Sequence, residues 1–207
     1  MEEKIVYFEE PGPANTETVL RLAAERAKAR GINKAVLAST TGETAKAAVK
    51  LWAKSGIKKI IVVPHQYGFA FGQRFPPELV TELAGQGHTV HFGTMLFHTE
   101  NLYGMNTPFV MASLLRTFCQ GMKVCVEILL MSVDGGHVEA GEEVVVVAGS
   151  GRGADTAVVA LAAPSTRLAD LHITEIICKP LQTKQGLPPK RPRPPPPPEK
   201  KDTKTVV

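Results

Sequence analysis

Two stretches of this chain carry residue types that can hold an anion. The first is Ser39-Thr40-Thr41-Gly42-Glu43-Thr44, which follows the apolar run Ala35-Val36-Leu37-Ala38 and precedes Ala45, Ala48, Val49 and Trp52 at helical spacing. A turn in that place meets backbone N–H groups that have no partner inside the helix. The hydroxyls of Ser39, Thr40, Thr41 and Thr44, a glycine and the positive end of a helix dipole suit a phosphate without any lysine. Ser and Thr are also ordinary helix caps, so this segment alone reads evenly as a cap or as a ligand loop.

The second stretch is Gly149-Ser150-Gly151-Arg152-Gly153-Ala154-Asp155-Thr156, directly after Val144-Val145-Val146-Val147-Ala148. It is not the dinucleotide fingerprint, because Ala157-Val158-Val159-Ala160-Leu161 continues as a strand and not as a helix. A strand, glycine loop and strand predict a hairpin, whose plainest role is a turn. Arg152 tips that balance toward a ligand, since a guanidinium pairs bidentately with phosphate.

A third segment, Pro64 to Phe75, concentrates His65, Gln66, Tyr67, Phe69, Phe71 and Phe75. It is too long and glycine-rich for a plain connector, and reads either as a binding loop or as an aromatic hinge packing on its own domain. A further long loop, Gly93 to Asn106, holds His98, Glu100, Asn101 and Tyr103. His65, His91, His98 and His137 lie on separate elements without metal-ligand spacing, so most read as structural or solvent histidines; His65, at a strand end, carries functional weight. No metal site is expected. Paired carboxylates and triads do not emerge either, so no catalytic acid, base or nucleophile is assigned.

The elements that must position these loops alternate. Ile5–Phe8 is β-prone, and Asn15 or Thr16 caps a helix carrying Val19, Leu20, Ala23, Ala24 and Ala27, ended by Gly31. After the first anion turn, a helix closed by Gly56 leads into Lys59-Ile60-Ile61-Val62-Val63, a run typical of a strand covered on both faces. Pro76-Pro77 opens a helix to about Ala84, and His88–Phe92 follows as a strand. Thr107-Pro108 starts a helix through Phe118, broken at Gly121, and Val124, Ile128, Leu129 and Met131 mark the next; both read as well buried. Glu143–Ala148, Ala157–Leu161 and Leu171–Cys178 complete the strands. Such alternation predicts a three-layer α/β/α domain with a mostly parallel mixed sheet, the last strands antiparallel. Ligand loops then fall at strand C-terminal ends. If the strands of Val36 and Val145 lie side by side where the winding reverses, the two anion loops face each other across a crevice.

Length and charge bound the rest. The chain of 207 residues allows one domain, over residues 1–180, plus a tail over 181–207. The tail holds seven Lys and Arg against two acidic residues, so it carries +5 of a net +4 and leaves the body at −1. The basic pI is therefore a property of the tail, and no nucleic-acid partner is implied for the folded part. With Pro192 and Pro194 to Pro198, the tail reads as disordered; a partner recognising its polyproline conformation competes with the plainer reading of a solvated appendage. Cys119, Cys125 and Cys178 form no CxxC pair and suit buried thiols in a reducing compartment. The first residues lack a signal-peptide pattern and no stretch reaches membrane-spanning length, so a cytoplasmic protein with no membrane contact is expected.

VLASTTGETAKAAVKLW, KIIVV leading to PHQYGF, and VVVVAGSGRGADTAVVALAAPS resemble the stand-alone relatives of the pyruvate kinase C-terminal domain, over roughly residues 1–180. In pyruvate kinase the corresponding loops grip the phosphates of a sugar bisphosphate effector. The resemblance implies those roles for Ser39, Thr40, Thr41, Gly42 and Thr44, and for Gly149 to Gly153. Nothing in the chain corresponds to the barrel that carries the kinase chemistry, so no pyruvate kinase activity is implied. Glu43 puts an anion where related effector loops often carry an arginine, which favours a ligand with a single phosphate. Stand-alone members look like FMN-binding proteins. FMN would set its phosphate on the hydroxyl turn, its ribityl chain near Asp155 or Thr156, and its ring by the loop of His65, Gln66 and Phe69. A flavin-dependent oxidoreductase would take its redox chemistry from the cofactor. The competing expectation is a sensor of a phosphorylated metabolite that alters the packing of a homo-oligomer when occupied.

Overall fold

The computed structural model describes residues 3–69, 72–99 and 107–182. Phe71, Glu100, Asn101, Tyr103 and nearly all of the tail, singled out above, lie outside the described residues. Seven strands form one sheet: β1 (Val6–Phe8), β2 (Lys34–Ala38), β3 (Lys59–Val63), β4 (Thr89–Val90), β5 (Glu143–Ala148), β6 (Thr156–Leu161) and β7 (His172–Pro180), in the order β1-β7-β6-β5-β2-β3-β4. β2 is parallel to both β3 and β5, β3 to β4, and β1 to β7, whereas β6 is antiparallel to both its neighbours. The architecture is the expected three-layer α/β/α fold with a mostly parallel sheet.

The layers follow from the period-2 alternation of buried strands. Ala35, Leu37, Ile60, Val62, Val145 and Val147 meet α1 (Thr16–Arg30), α2 (Glu43–Trp52) and α3 (Pro77–Gly85) on one face. Val36, Ile61, Val63, Val144 and Val146 meet Met122, Cys125, Ile128 and Leu129 of α5 (Gln120–Asp134) on the other. Because both faces are covered, the central strands are almost continuously apolar. Outside α5 lies α4 (Thr107–Arg116), whose Ala112 packs with Phe97, Val126 and Leu130.

Four expectations need correction. α4 is not well buried: Val110 and Leu114 are 62% and 65% exposed, and Phe109 and Phe118 are also at the surface. Gly121 does not break the helix pair. It sits inside the first turn of α5, where a Cβ would collide with the Thr156 hydroxyl, so its small size lets α5 approach β6. The strand read as His88–Phe92 is only Thr89–Val90, although His91 still donates its N–H to the Val62 carbonyl at 2.8 Å. The Asn15 side chain does not cap α1; its amide donates to the Glu10 carbonyl.

No helix among the described residues is long and apolar enough to cross a membrane.

Candidate functional site

β2 is the strand at which the winding turns back. The chain runs outward through β3 and β4, then returns across the opposite face through α4 and α5 to β5, on β2's other side. Ala35 pairs with Val145 and Leu37 with Val147, so the loops leaving both strands emerge side by side. A crevice at the carboxyl ends of strands around such a reversal is where open α/β sheets bind ligands. A cavity of about 730 Å³ lies there. Ser39, Thr40, Thr41, Glu43 and Thr44 line it, together with Gly149, Gly151, Arg152 and Gly153 from the far loop and His65 and Phe69 from the aromatic one. Thr41 and Arg152 thus line one cavity.

The first loop is shaped by Gly42, which adopts φ +87° where a side chain would also strike Leu79. The Ser39 hydroxyl accepts the N–H of Ala45 at 3.2 Å, so it satisfies a first-turn amide of α2 from outside the helix, whose N-cap position is Gly42, and it also lines the cavity. Thr40 instead places its hydroxyl 3.4 Å from His65 Nε2. Burial lowers the His65 pKa, and the charge of Arg74 lowers it further, so the imidazole is neutral near pH 7.

The second loop is tied down from behind. Gly153, at φ +67°, packs against Thr16 and Pro13, and the Thr16 hydroxyl accepts the Ala154 N–H at 2.9 Å. Asp155 and Thr156 are fully buried and do not line the cavity. The Asp155 carboxylate accepts N–H groups from Gly12 and Ser150 and the hydroxyl of Thr156, so both residues brace the loop from behind the cavity. Ser150 and Gly42 likewise shape their loops without lining the cavity.

The aromatic loop divides between its two readings. Tyr67 and Phe75 pack on Phe92, while His65 and Phe69 meet edge to face and turn to the cavity. Gln66 is a strut: its side-chain oxygen accepts the Met95 N–H at 2.6 Å.

Several cavity residues escaped the sequence reading. Arg74 adds a second guanidinium to the lining, and α5 contributes Gln120, Lys123 and Glu127. Lys123 and Glu127 are ion-paired one helical turn apart and are 0% and 2% exposed. Glu127 also accepts the N–H of Phe97 at 2.8 Å and lies 3.2 Å from His98 Nδ1. Burial pushes the Glu127 carboxyl up, but the hydrogen bond from His98, the Lys123 charge and hydrogen bond, and the Phe97 N–H together outweigh it and hold the pKa below its ordinary value. The signal was two charges four residues apart within the apolar run MKVCVEILLM. Among the described residues no group of three or more His, Cys, Asp and Glu could hold a metal ion. No family model matches the chain.

Proposed function

We propose that the cavity binds a ligand with a single phosphate, FMN being the best fit, and that the protein is a flavoprotein and not a pyruvate kinase. The observation that carries this reading is the shared cavity: the hydroxyl turn, the Arg152 loop and an aromatic edge all line one space of about 730 Å³. The phosphate sits between Thr41, Thr44 and Arg152, where a helix N-terminus and a guanidinium both favour an anion. Glu43, which also lines the cavity, limits the negative charge that the turn accepts, which suits one phosphate better than two. Since Asp155 and Thr156 are engaged elsewhere, the ribityl hydroxyls fall to Thr40 and His65, and the ring lies along Phe69. The resemblance to the stand-alone relatives of the pyruvate kinase C-terminal domain supports the same ligand. Any electron transfer belongs to the flavin, with the chain supplying orientation and charge.

The exposed apolar side chains of α4 favour a second reading, a sensor of a phosphorylated metabolite whose occupancy changes the packing of a homo-oligomer. The two are separated by the colour of the purified protein, the mass of any molecule that co-purifies, and thermal unfolding with added FMN. FMN at about a hundred times its Kd stabilises the folded state by about 2.7 kcal/mol. A colourless protein that FMN does not stabilise contradicts the flavin reading.

A further inference from the structure

The reading above leaves the buried charges on α5 unused. Lys123, Glu127 and His98 meet at the wall of the same cavity, beside Phe69, whose ring lies 5.3 Å from that of His98. A buried ion pair contributes little net stability compared with apolar residues of the same size, so its presence at a cavity calls for a chemical role.

We propose that His98 and Glu127 form an acid–base dyad, with the Nδ1–H of His98 held by the Glu127 carboxylate and Nε2 left to exchange a proton with the bound ligand. The geometry selects the tautomer. Nδ1 lies 3.2 Å from Glu127 Oε1, and an ionised carboxylate can only accept, so Nδ1 carries the proton. Lys123 Nζ is farther from Nδ1, at 3.4 Å, and its short contact goes to the other carboxylate oxygen. Lys123 therefore keeps Glu127 ionised, and the Phe97 N–H fixes the oxygen that faces the ring. With Nδ1 turned to the buried wall and a quarter of the side chain exposed, Nε2 lies on the opposite ring edge.

This inference rests on the reading that the cavity takes a ligand, and it narrows that ligand. Thr40 contacts His65 at 3.4 Å, His65 meets Phe69 at 4.8 Å, and Phe69 meets His98, so the dyad stands beyond the aromatic edge from the phosphate turn. The ligand has a phosphate at one end and a planar head with an acidic N–H, O–H or C–H at the other. In the step, a proton leaves that group for Nε2, the electron pair stays on the ligand, and Glu127 stabilises the imidazolium until the proton returns to product or water. His98 is the catalytic residue and Glu127 its positioning residue.

The test is long-range nitrogen NMR of the full chain with labelled imidazoles, using FMN and inorganic phosphate as separate probes. In the free wild-type protein the neutral His98 ring should carry its proton on Nδ1 with Nε2 bare; a neutral ring protonated on Nε2 with Nδ1 bare overturns the dyad, and this measurement needs no variant. Saturating FMN should move the His98 Nε2 resonance, whereas inorganic phosphate should move the amides of Thr41 and Gly42 and leave Nε2 in place. FMN that shifts those amides without touching Nε2 overturns the proposal while leaving the binding reading intact. If neither probe moves an amide, the binding reading fails and the tautomer alone decides the dyad. E127Q should release the ring into a mixture of tautomers, and a single unchanged tautomer there counts against the positioning role.

Discussion

The carboxylate of Asp155 accepts the backbone N–H of Gly12 at 3.0 Å, joining the entry to α1 with the glycine loop across 143 positions of sequence. It also accepts the Ser150 N–H at 3.0 Å and the Thr156 hydroxyl at 2.9 Å, so one buried side chain fixes both ends of the loop that carries Arg152. D155A takes the acceptor from the buried Gly12 N–H and the half-buried Ser150 N–H, and leaves the Thr156 hydroxyl only its 3.4 Å contact with Cys119 Sγ. At about 1–3 kcal/mol for each unsatisfied group, with partial relaxation, the expected loss is about 3 kcal/mol. Urea unfolding measures it, and a change within about 0.5 kcal/mol, typical of a surface site, contradicts the strut assignment.

Replacing a helical glycine with alanine usually stabilises by about 1 kcal/mol, and G121A should do the reverse. A Cβ at Gly121 collides with the Thr156 side chain, which is itself buried and tied to Asp155. Overpacking of this kind costs about 1–3 kcal/mol. A stabilised G121A variant would show that α5 can move away from β6.

The layers were legible because their causes are local. β2, β3 and β5 are short apolar runs bounded by turns, and the hairpin of β5 and β6 follows from a glycine loop between two such runs. The convergence of Thr41 and Arg152 followed from topology alone, once the two strands were placed side by side. What was not legible depends on partners distant in sequence. Asp155 looked like a ligand contact because a carboxylate beside a glycine loop cannot reveal that Gly12 will meet it. Gly121 looked like a helix breaker because the residue that it makes room for is 35 positions away, at Thr156. Lys123 and Glu127 were hidden by the apolar helix around them, although two charges one turn apart on a buried face mark a paired site.

Acid should destabilise the protein in two stages. His91 and His137 face each other with Nε2 of His137 at 3.1 Å from Nδ1 of His91. Burial lowers the pKa of both below the ordinary 6.5, with the neighbouring imidazole adding at His91 and Lys59 at His137. The unfolded chain then takes up protons first. The contribution of this pair is complete above about pH 6.5 and is lost as pH falls through the lower folded values. Glu127, held below its ordinary 4.5, adds a second loss at lower pH, because its contribution is present above that value and disappears as the folded carboxylate is protonated. Urea midpoints measured from pH 8 to pH 2 should fall in both ranges, and H91N should shrink the first fall, to which His65 and His88, also lowered by burial, add. A flat profile down to pH 5 contradicts the assignment of the histidine pair.

The claim that most depends on the fold is that two loops, leaving β2 and β5, hold one phosphate between them. Flavin fluorescence titration with FMN and with riboflavin, which differ only in that phosphate, measures it directly. Two charge-assisted hydrogen bonds at about 1.5 kcal/mol each predict that riboflavin binds on the order of a hundredfold more weakly than FMN. T41Y and R152A should each bring FMN toward the riboflavin value while leaving riboflavin little changed. Equal affinities for the two flavins, or an R152A variant that still separates them by the full factor, would contradict the shared phosphate site.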